Sequence, residues 1–378
     1  MTPMTRSRKS ITAVIGACAI FLAATFTPSL FATDAALAQQ VEGRAVEQMS
    51  PLVGNVPGDH LGTASDAEIW RAVRRGTQGN VSIPNKRAGV MIQSEGENWR
   101  AWRNGPITTG GVWGILGMIG LLALFFVLRG RVRVDAGLSG KSIERFNEIE
   151  RFAHWLSAVS FILLALSGLN LLYGRHVLLP VLGPEVFAAL SLAGKYVHNY
   201  VSFAFMAGLV LMFVLWVRHN LPHKSDLIWL EQLGGLIVRG THPPAKKFNA
   251  GQKAVFWIVI LGGSSLAASG VSLMFPFEFS MFEWTFGVFN TVLGTELPAA
   301  LTPLEEMQLS QWWHAIMALI MIVAILGHIY IGTLGMEGAF DAMGTGQVDE
   351  NWAQEHHSLW VAEVKGKTDS GGTGQPAE

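Results

Sequence analysis

Residues 311–336 have the sequence QWWHAIMALIMIVAILGHIYIGTLGM, an apolar run whose only ionisable groups are two histidines and one tyrosine. At about 1.5 Å per helical residue, such a run is long enough to cross a hydrocarbon core of about 30 Å. His314 and His328 are separated by almost four helical turns, a rise of about 21 Å. The two histidines therefore lie on nearly the same side of one membrane helix, at opposite depths.

The composition agrees with a membrane protein. Only 15% of the 378 residues are charged, whereas about a quarter are charged in a typical soluble protein. Net charge is −1, so a nucleic-acid partner has no electrostatic support. Four further apolar runs are long enough to span a bilayer, and the chain is predicted to be an all-α integral membrane protein. These runs lie at about 110–128, 152–173, 196–217 and 254–277.

The charges of the connecting loops indicate one orientation in the bacterial inner membrane. The loop 278–310 contains five Glu and no Lys or Arg, whereas the loops after the first and third runs are basic. Basic loops remain in the cytoplasm, which predicts a periplasmic loop at 278–310 and a cytoplasmic tail at 341–378. The basic residues are Arg129, Arg131, Arg133, Lys141, Arg145 and Arg151 in one loop, and Arg218, Lys224, Arg239, Lys246, Lys247 and Lys253 in the other.

Residues 1–38 have the parts of a secretory signal peptide: basic residues at 6–9, an apolar core, and the cleavage site Ala36-Leu37-Ala38. A retained anchor helix is the alternative. Cleavage would remove Cys18, the only cysteine, and with it every thiol. Thiol-ligated iron–sulfur clusters and covalently attached c-type haem are then excluded.

Residues 39–109 are polar and contain no long apolar run, so we expect a periplasmic segment that covers a partner or the rim of the bundle. Asn104-Gly105-Pro106 is predicted to form a turn within it. The N-terminal segment and the loop charges thus predict the same topology.

Four histidines fall inside apolar runs, where an ionisable side chain indicates a functional site. The topology places His198 and His314 near the periplasmic face, and His154 and His328 near the cytoplasmic face. Each pair comes from two different helices, as a bis-histidine haem requires. A helix–helix hydrogen bond is the alternative for a single histidine.

Zinc is disfavoured, because each depth supplies only two ligands and zinc takes three or four. Proton relays usually include carboxylates, and the apolar runs contain none. Gly168, Gly208 and Gly327 are candidates for admitting a flat macrocycle, although small residues also serve ordinary helix packing. Histidines outside the runs are expected to be solvated or interfacial, namely His176, His219, His223, His242, His356 and His357.

The segment Phe248-Asn249-Ala250-Gly251-Gln252-Lys253 enters the fourth apolar run from the predicted cytoplasmic side. The amides of Asn249 and Gln252 can bond a quinone carbonyl, and Gly251 allows a ring to approach the backbone. Helix capping by the same residues is the alternative.

The sequence resembles the gamma (cytochrome b556) subunits of membrane-bound formate dehydrogenase over residues 145–362. The resemblance rests on six stretches in family order, and no single one is decisive. They are Arg151-Phe152-Ala153-His154-Trp155, Ala165-Leu166-Ser167-Gly168, Arg218-His219-Asn220-Leu221-Pro222, the segment 248–253, His328-Ile329-Tyr330, and Trp352 with Glu355-His356-His357.

The resemblance implies a di-haem four-helix bundle over residues 145–340, and the helix at 110–128 and the exported segment are additions to the family's short form. It implies two haems b on His154, His198, His314 and His328, and a quinone (menaquinone or ubiquinone) at Asn249, Gly251 and His328, to which we add Gln252. The implied partners are a periplasmic molybdenum or tungsten alpha subunit, which oxidises formate, and an iron–sulfur beta subunit.

In this interpretation the chain is the electron-transfer subunit of a formate:quinone oxidoreductase and carries no formate site or catalytic residue of its own. A nearby alternative is the cytochrome b subunit of a nickel–iron hydrogenase or a thiosulfate reductase, which receives electrons from a different catalytic subunit. A haem-free transporter or anchor, with histidines that pack helices, is the alternative from another class.

Overall fold

The computed structural model of the chain describes residues 95–371 apart from 239 and 277. The predicted signal peptide, with Cys18, and residues 39–94 lie outside this part, as do residues 372–378. Most described residues are helical. They fall into two compact units, one of residues 169–194 and one of residues 95–168 together with 195–371.

In the part of the chain that the structure describes, five helices are long and apolar enough to cross a membrane, as predicted, and the all-α membrane class is confirmed. These spans, named first to fifth in chain order, are Asn98–Arg129, Glu148–Val177, Leu179–Asn220, Ala250–Met274 and Pro303–Gly335. The helices are α1 (Glu95–Trp102), α2 (Thr108–Arg129), α3 (Glu148–Val177), α4 (Leu179–Trp216), α5 (Lys224–Glu231), α6 (Ala250–Trp257), α7 (Gly263–Met274), α8 (Met281–Leu293), α9 (Pro303–Tyr330), α10 (Asp341–Gly344), α11 (Glu350–His356) and α12 (Ser358–Gly371).

The first three spans extend beyond the predicted apolar runs at both ends, and the fourth and fifth extend beyond them at their starts, because polar residues continue or cap the helices. The fifth span begins with Pro303 after Thr302, whose hydroxyl accepts a bond from the Glu305 N–H while the Glu305 carboxylate bonds back. This reciprocal cap satisfies free N–H groups at a helix start. The predicted turn at residues 104–106 is wrong, since Arg103–Ile107 is a π-helical turn that joins α1 to α2 and takes up Pro106.

Within the unit of residues 169–194, the end of α3 packs against the first part of α4. The Asn170 amide donates to the Ser191 hydroxyl at 3.2 Å. A Cβ on Gly174 would lie 3.0 Å from the Phe187 ring and closer still to Asn170, so this approach requires a glycine. Gly183 has φ +75° and ends the first turn of α4, after which Pro184 starts the continuous helix.

In the larger unit, the second to fifth spans contact one another in a closed sequence. Gly208 of the third span lies against Ser157 of the second, and Gly263 of the fourth lies against Leu209 of the third. A Cβ on Gly262 would lie 2.6 Å from the sulfur of Met321 on the fifth span. The second and fifth spans face each other through His154 and His328, described below, which completes a cycle of four spans.

The first span packs against the fifth. A Cβ on Gly114 would lie 3.6 Å from Val323, and the Trp312 indole N–H donates to the Trp99 carbonyl at 3.2 Å. The rings of Trp102 and Trp312 are 6.1 Å apart between centroids. The extra helix therefore contacts the face of the fifth span without entering the cycle of four.

A small antiparallel ribbon joins the residues before α3 to those after α9. It consists of β1 (Ser142–Glu144) and β2 (Gln347–Asp349), with Ile143 opposite Val348. Val348 is buried, together with Trp352 and Val361 from the segment that follows. Residues 341–371, predicted as a tail, thus form structure that packs on the core, and the ribbon is an exception to the all-α prediction.

The expectation that His357 is solvated or interfacial is wrong, because its side chain is fully buried. Its Nδ1–H donates to the Lys246 carbonyl at 2.7 Å. Burial lowers the pKa of His357 well below 6.5, and the charge of Arg145 acts in the same direction. Burial, with smaller contributions from His242 and Arg145, lowers the pKa of His356 to about 4. Both imidazoles are therefore neutral in the folded protein near pH 7.

These shifts predict that the packing of residues 341–361 weakens on acidification. Below pH 6.5 the unfolded chain takes up protons on His356 and His357 while the folded chain does not, so stability falls as pH falls from about 6.5 towards about 4. The loss is on the order of 1 kcal/mol per histidine for each pH unit. Limited proteolysis of the detergent-solubilised protein between pH 7 and pH 5 reports this loss of stability as a loss of protease resistance.

The control is the double variant His356→Gln, His357→Asn, which keeps polar donors but does not titrate. Its protease resistance should change much less over the same pH interval. An equal loss of resistance in the wild type and the double variant would contradict the assignment to these histidines.

Candidate functional site

Four membrane-span histidines form two facing pairs. His198 of α4 faces His314 of α9, with ring centroids 6.1 Å apart and ring planes inclined at 64°. His154 of α3 faces His328, also of α9, with centroids 6.1 Å apart and planes inclined at 65°. We call these the serine-linked pair and the His154 pair. The structure brings together the same partners that the depth argument predicts, and α9 contributes one histidine to each pair.

The spacing within both pairs matches a single metal ion between two imidazole nitrogens. A metal–nitrogen bond of about 2 Å on each side, with each ring centroid about 1 Å further out, gives about 6 Å between centroids. All four side chains also keep accessible surface, and His328 is exposed. Each pair therefore has the ring spacing that an iron ion bound by both imidazoles requires.

Serines of neighbouring helices contact the serine-linked pair. The Ser167 hydroxyl lies 2.8 Å from Nδ1 of His198, and the Ser269 hydroxyl lies 2.9 Å from Nδ1 of His314. Both serines are buried. A contact at Nδ1 leaves Nε2 of each imidazole as the atom that can bind a metal.

The glycines that border this pair are Gly168 and Gly270. A Cβ on Gly168 would lie 3.5 Å from Cε1 of His198, and one on Gly270 would lie 3.5 Å from Cε1 of His314. Gly208 instead packs on Ser157, which is the helix-packing alternative, and Gly327 has no described atom within 4 Å of such a Cβ. Sequence reasoning identified Gly168 but missed Gly270, Ser167 and Ser269. The repeated dipeptide Ser-Gly at 167–168 and 269–270 was the available signal.

Within residues 95–371, no group of three or more His, Cys, Asp or Glu side chains is arranged to hold a metal ion. The histidines outside the spans have structural contacts. His223 caps α5 by accepting from the Ser225 N–H, and His242 lies 3.0 Å from the Asp135 carboxylate. Among the described residues, the two facing pairs are therefore the candidate site for a bound metal or cofactor.

The segment 248–253 forms the start of α6, and its amides cap that helix. The Gln252 N–H donates to the Asn249 side-chain oxygen at 2.9 Å, and the Asn249 N–H donates to the Gln252 side-chain oxygen at 3.1 Å. Arg145 also donates to the Gln252 oxygen, at 3.2 Å. These bonds use the oxygens, so the NH₂ groups of both amides are not part of the cap. Asn249 and Gln252 therefore cap α6, as in the capping alternative, and their NH₂ groups stay outside the cap as donors for a carbonyl ligand.

An aromatic ring does approach Gly251, and it belongs to Trp229 of this chain. A Cβ on Gly251 would lie 2.7 Å from that indole, so the approach requires the glycine. A polar cavity of about 210 Å³ lies beside the same segment. Its lining includes Arg218, His219, His223, Lys246, Lys247 and Lys253.

Carboxylates compensate the charges of two lysines at this end of the spans. Lys247 bonds Glu150 at 2.6 Å, and Glu150 also accepts from the Trp216 indole at 2.9 Å. Lys253 bonds Asp226 at 2.8 Å. The Lys247–Glu150 pair holds the connection between the third and fourth spans against the start of the second, and the Lys253–Asp226 pair joins that connection to the start of the fourth.

The sequence profile of the family described as prokaryotic cytochrome b561 matches residues 145–346, more than half of the chain. The cytochrome b556(fdo) subunit of formate dehydrogenase from Escherichia coli strain K12 is 30% identical over 229 residues, which cover 60% of this chain and 96% of that subunit. The nitrate-inducible cytochrome b556(Fdn) subunit from the same strain is 29% identical over 227 residues, covering 60% and 93%. A formate dehydrogenase cytochrome b556 subunit from Haemophilus influenzae is 23% identical over 217 residues, covering 56% and 79%.

The close contact at Gly208 predicts that Gly208→Ala separates the second and third spans. The added Cβ would lie 3.1 Å from the backbone N of Ser157, which cannot move as a side chain can. We expect a lower melting temperature in detergent, with a loss of about 1–3 kcal/mol for overpacking. Gly120→Ala is the matched control, because no described atom lies within 4 Å of its Cβ, and it should be neutral or slightly stabilising. Equal melting temperatures for the two variants would contradict this packing.

Proposed function

The chain belongs to the prokaryotic cytochrome b561 family, and from this premise we propose that it is the membrane cytochrome b subunit of a formate dehydrogenase complex, which passes electrons through two haems b to quinone. The proposal rests on the two facing imidazole pairs, each with ring centroids 6.1 Å apart. The relatives named above are formate dehydrogenase subunits, which supports formate as the source of electrons.

In this proposal His198 and His314 hold one haem, and His154 and His328 hold the other. The haem iron supplies one-electron redox chemistry, and the chain supplies ligation, orientation and an apolar surrounding. Histidines from separate spans clamp each site from both sides, so a site is complete only in the folded bundle. The separation of about 21 Å between His314 and His328 along α9 arranges the two sites as a relay across the membrane.

Quinone is assigned to the segment at the start of α6, with Asn249, Gly251, Gln252 and His328 as the proposed contacts. The support is chemical: the NH₂ groups of Asn249 and Gln252 are donors for a quinone carbonyl, and Trp229 offers an aromatic wall beside Gly251. The adjacent polar cavity is lined by Lys253 of this segment and by further lysine and histidine side chains.

The proposed orientation in the bacterial inner membrane follows the loop charges, with the N-terminal segment periplasmic and the C-terminus cytoplasmic. Residues 39–109 and the first span would then lie outside the di-haem core of residues 145–340. The proposed partners are an iron–sulfur subunit, which delivers electrons to the serine-linked pair, and a molybdenum- or tungsten-containing catalytic subunit, which oxidises formate.

The ligand assignment predicts that His198→Ala and His314→Ala remove the same spectral component, and that His154→Ala and His328→Ala remove the other. Each substitution deletes one of only two protein ligands to its haem. Reduced-minus-oxidised spectra of the purified variants measure the two components. Loss of the same component in His154→Ala and His314→Ala would contradict the pairing.

The quinone assignment predicts that Asn249→Asp lowers formate-dependent quinone reduction by about tenfold or more in the purified complex. Asp keeps the oxygen that caps α6 but lacks the NH₂ donor. Both haems should still be reduced by formate, because the block lies after them. Wild-type quinone turnover in the variant would overturn the role of Asn249, and a complex in which formate reduces no haem would overturn formate as the donor.

A further inference from the structure

Each histidine of the serine-linked pair contacts one buried serine from an adjacent helix. Ser167 of α3 reaches Nδ1 of His198 on α4 at 2.8 Å. Ser269 of α7 reaches Nδ1 of His314 on α9 at 2.9 Å. The same serine–histidine contact therefore occurs twice at this site, once between α3 and α4 and once between α7 and α9.

The direction of these hydrogen bonds follows from the single proton of a hydroxyl. Ser167 Oγ lies 2.8 Å from the Leu163 carbonyl and 3.0 Å from the Leu164 carbonyl, and only the serine can donate in these contacts. Ser269 Oγ lies 3.0 Å from the carbonyls of Ser265 and Leu266. The hydroxyl proton of each serine therefore goes to its own helix, and the oxygen accepts from the imidazole.

The serine oxygens are therefore the acceptors that face Nδ1 of His198 and His314. Both imidazoles accordingly carry their proton on Nδ1 and present the Nε2 lone pair. At the other pair, the buried Nδ1 of His154 has no hydrogen-bond partner among the residues that the structure describes. The two pairs have the same ring spacing but different support behind the rings.

We propose that Ser167 and Ser269 are positioning residues that fix the Nδ1–H tautomers of His198 and His314 and lower the reduction potential of the haem held there relative to the haem of the His154 pair. This inference rests on the proposed function, since it takes the four histidines as haem ligands. An acceptor at Nδ1–H makes the imidazole a stronger donor through Nε2 and favours the oxidised iron.

The proposed difference in reduction potential between the two haem sites gives electron transfer a direction. Electrons that enter at the serine-linked pair move towards the higher potential of the His154 pair, and from there to the proposed quinone segment. Because the serines belong to α3 and α7 and the histidines to α4 and α9, all four core spans take part in setting the potential of this site.

The test compares Ser167→Ala, Ser269→Ala and the double variant with the wild type by potentiometric titration of the purified protein, followed optically and by electron paramagnetic resonance. We expect the midpoint potential of the component that His198→Ala removes to rise, most in the double variant, while the other component stays unchanged. Haem affinity at that site should fall about tenfold. Ser167→Thr retains a hydroxyl and should restore the wild-type potential.

Ser157→Ala is the matched control, because buried Ser157 donates to the carbonyl of Ala153 in α3 and has no hydrogen bond to a histidine of residues 95–371. Neither component should shift in this variant. Selective loss of the His198 component in Ser167→Ala, with recovery in Ser167→Thr, supports the proposal as well. Unchanged potentials in the double variant with both haems bound, or equal shifts of both components, would overturn it. Absence of any haem in the wild type would instead overturn the proposed function.

Discussion

An imidazole at the depth of the hydrocarbon core has no water to bond, so the protein itself must satisfy its polar atoms. Ser167 and Ser269 meet this constraint at Nδ1 of His198 and His314, and the four imidazoles face one another in two pairs from the second, third and fifth spans. The fifth span takes part in both pairs, and the first and fourth spans pack against it. The placement of His314 and His328 on one face of α9 is therefore the feature on which the rest of the arrangement depends.

The end of the bundle near His154 is closed by polar structure. The ribbon of β1 and β2 ties the residues before the second span to those after the fifth. Arg145, which follows β1, is buried beside the rings of Trp352 and Trp360 and donates to the carbonyl of Lys247. Burial lowers the pKa of Arg145 to about 9, against the attraction of Glu150, so the guanidinium remains charged near pH 7. The neutral rings of His356 and His357 also lie against Trp352, in the same cluster as this cation.

Hydrophobic length was enough to predict the five spans, because it follows from helix rise, and the partners within each pair followed from histidine depth together with the loop charges that orient the spans. The span ends were less predictable. Caps such as Thr302 with Glu305, and the π-helical turn around Pro106, extend helices into polar sequence. The burial of His357 depends on the tertiary contact with Lys246, which no local pattern reveals. Ser269 and Gly270 were missed because their role is defined by a histidine more than forty residues away. The assignment of the four histidines as haem ligands stays a prediction.

The central claim, that each facing pair holds one haem, is tested most directly by the haem content of the purified full-length chain. A pyridine haemochrome assay combined with amino-acid quantification measures haem b per polypeptide, and the low-temperature spectrum reports its spin state. We expect two low-spin haems b per chain. One haem per chain, or a protein with no b-type alpha band after reduction with dithionite, would contradict it.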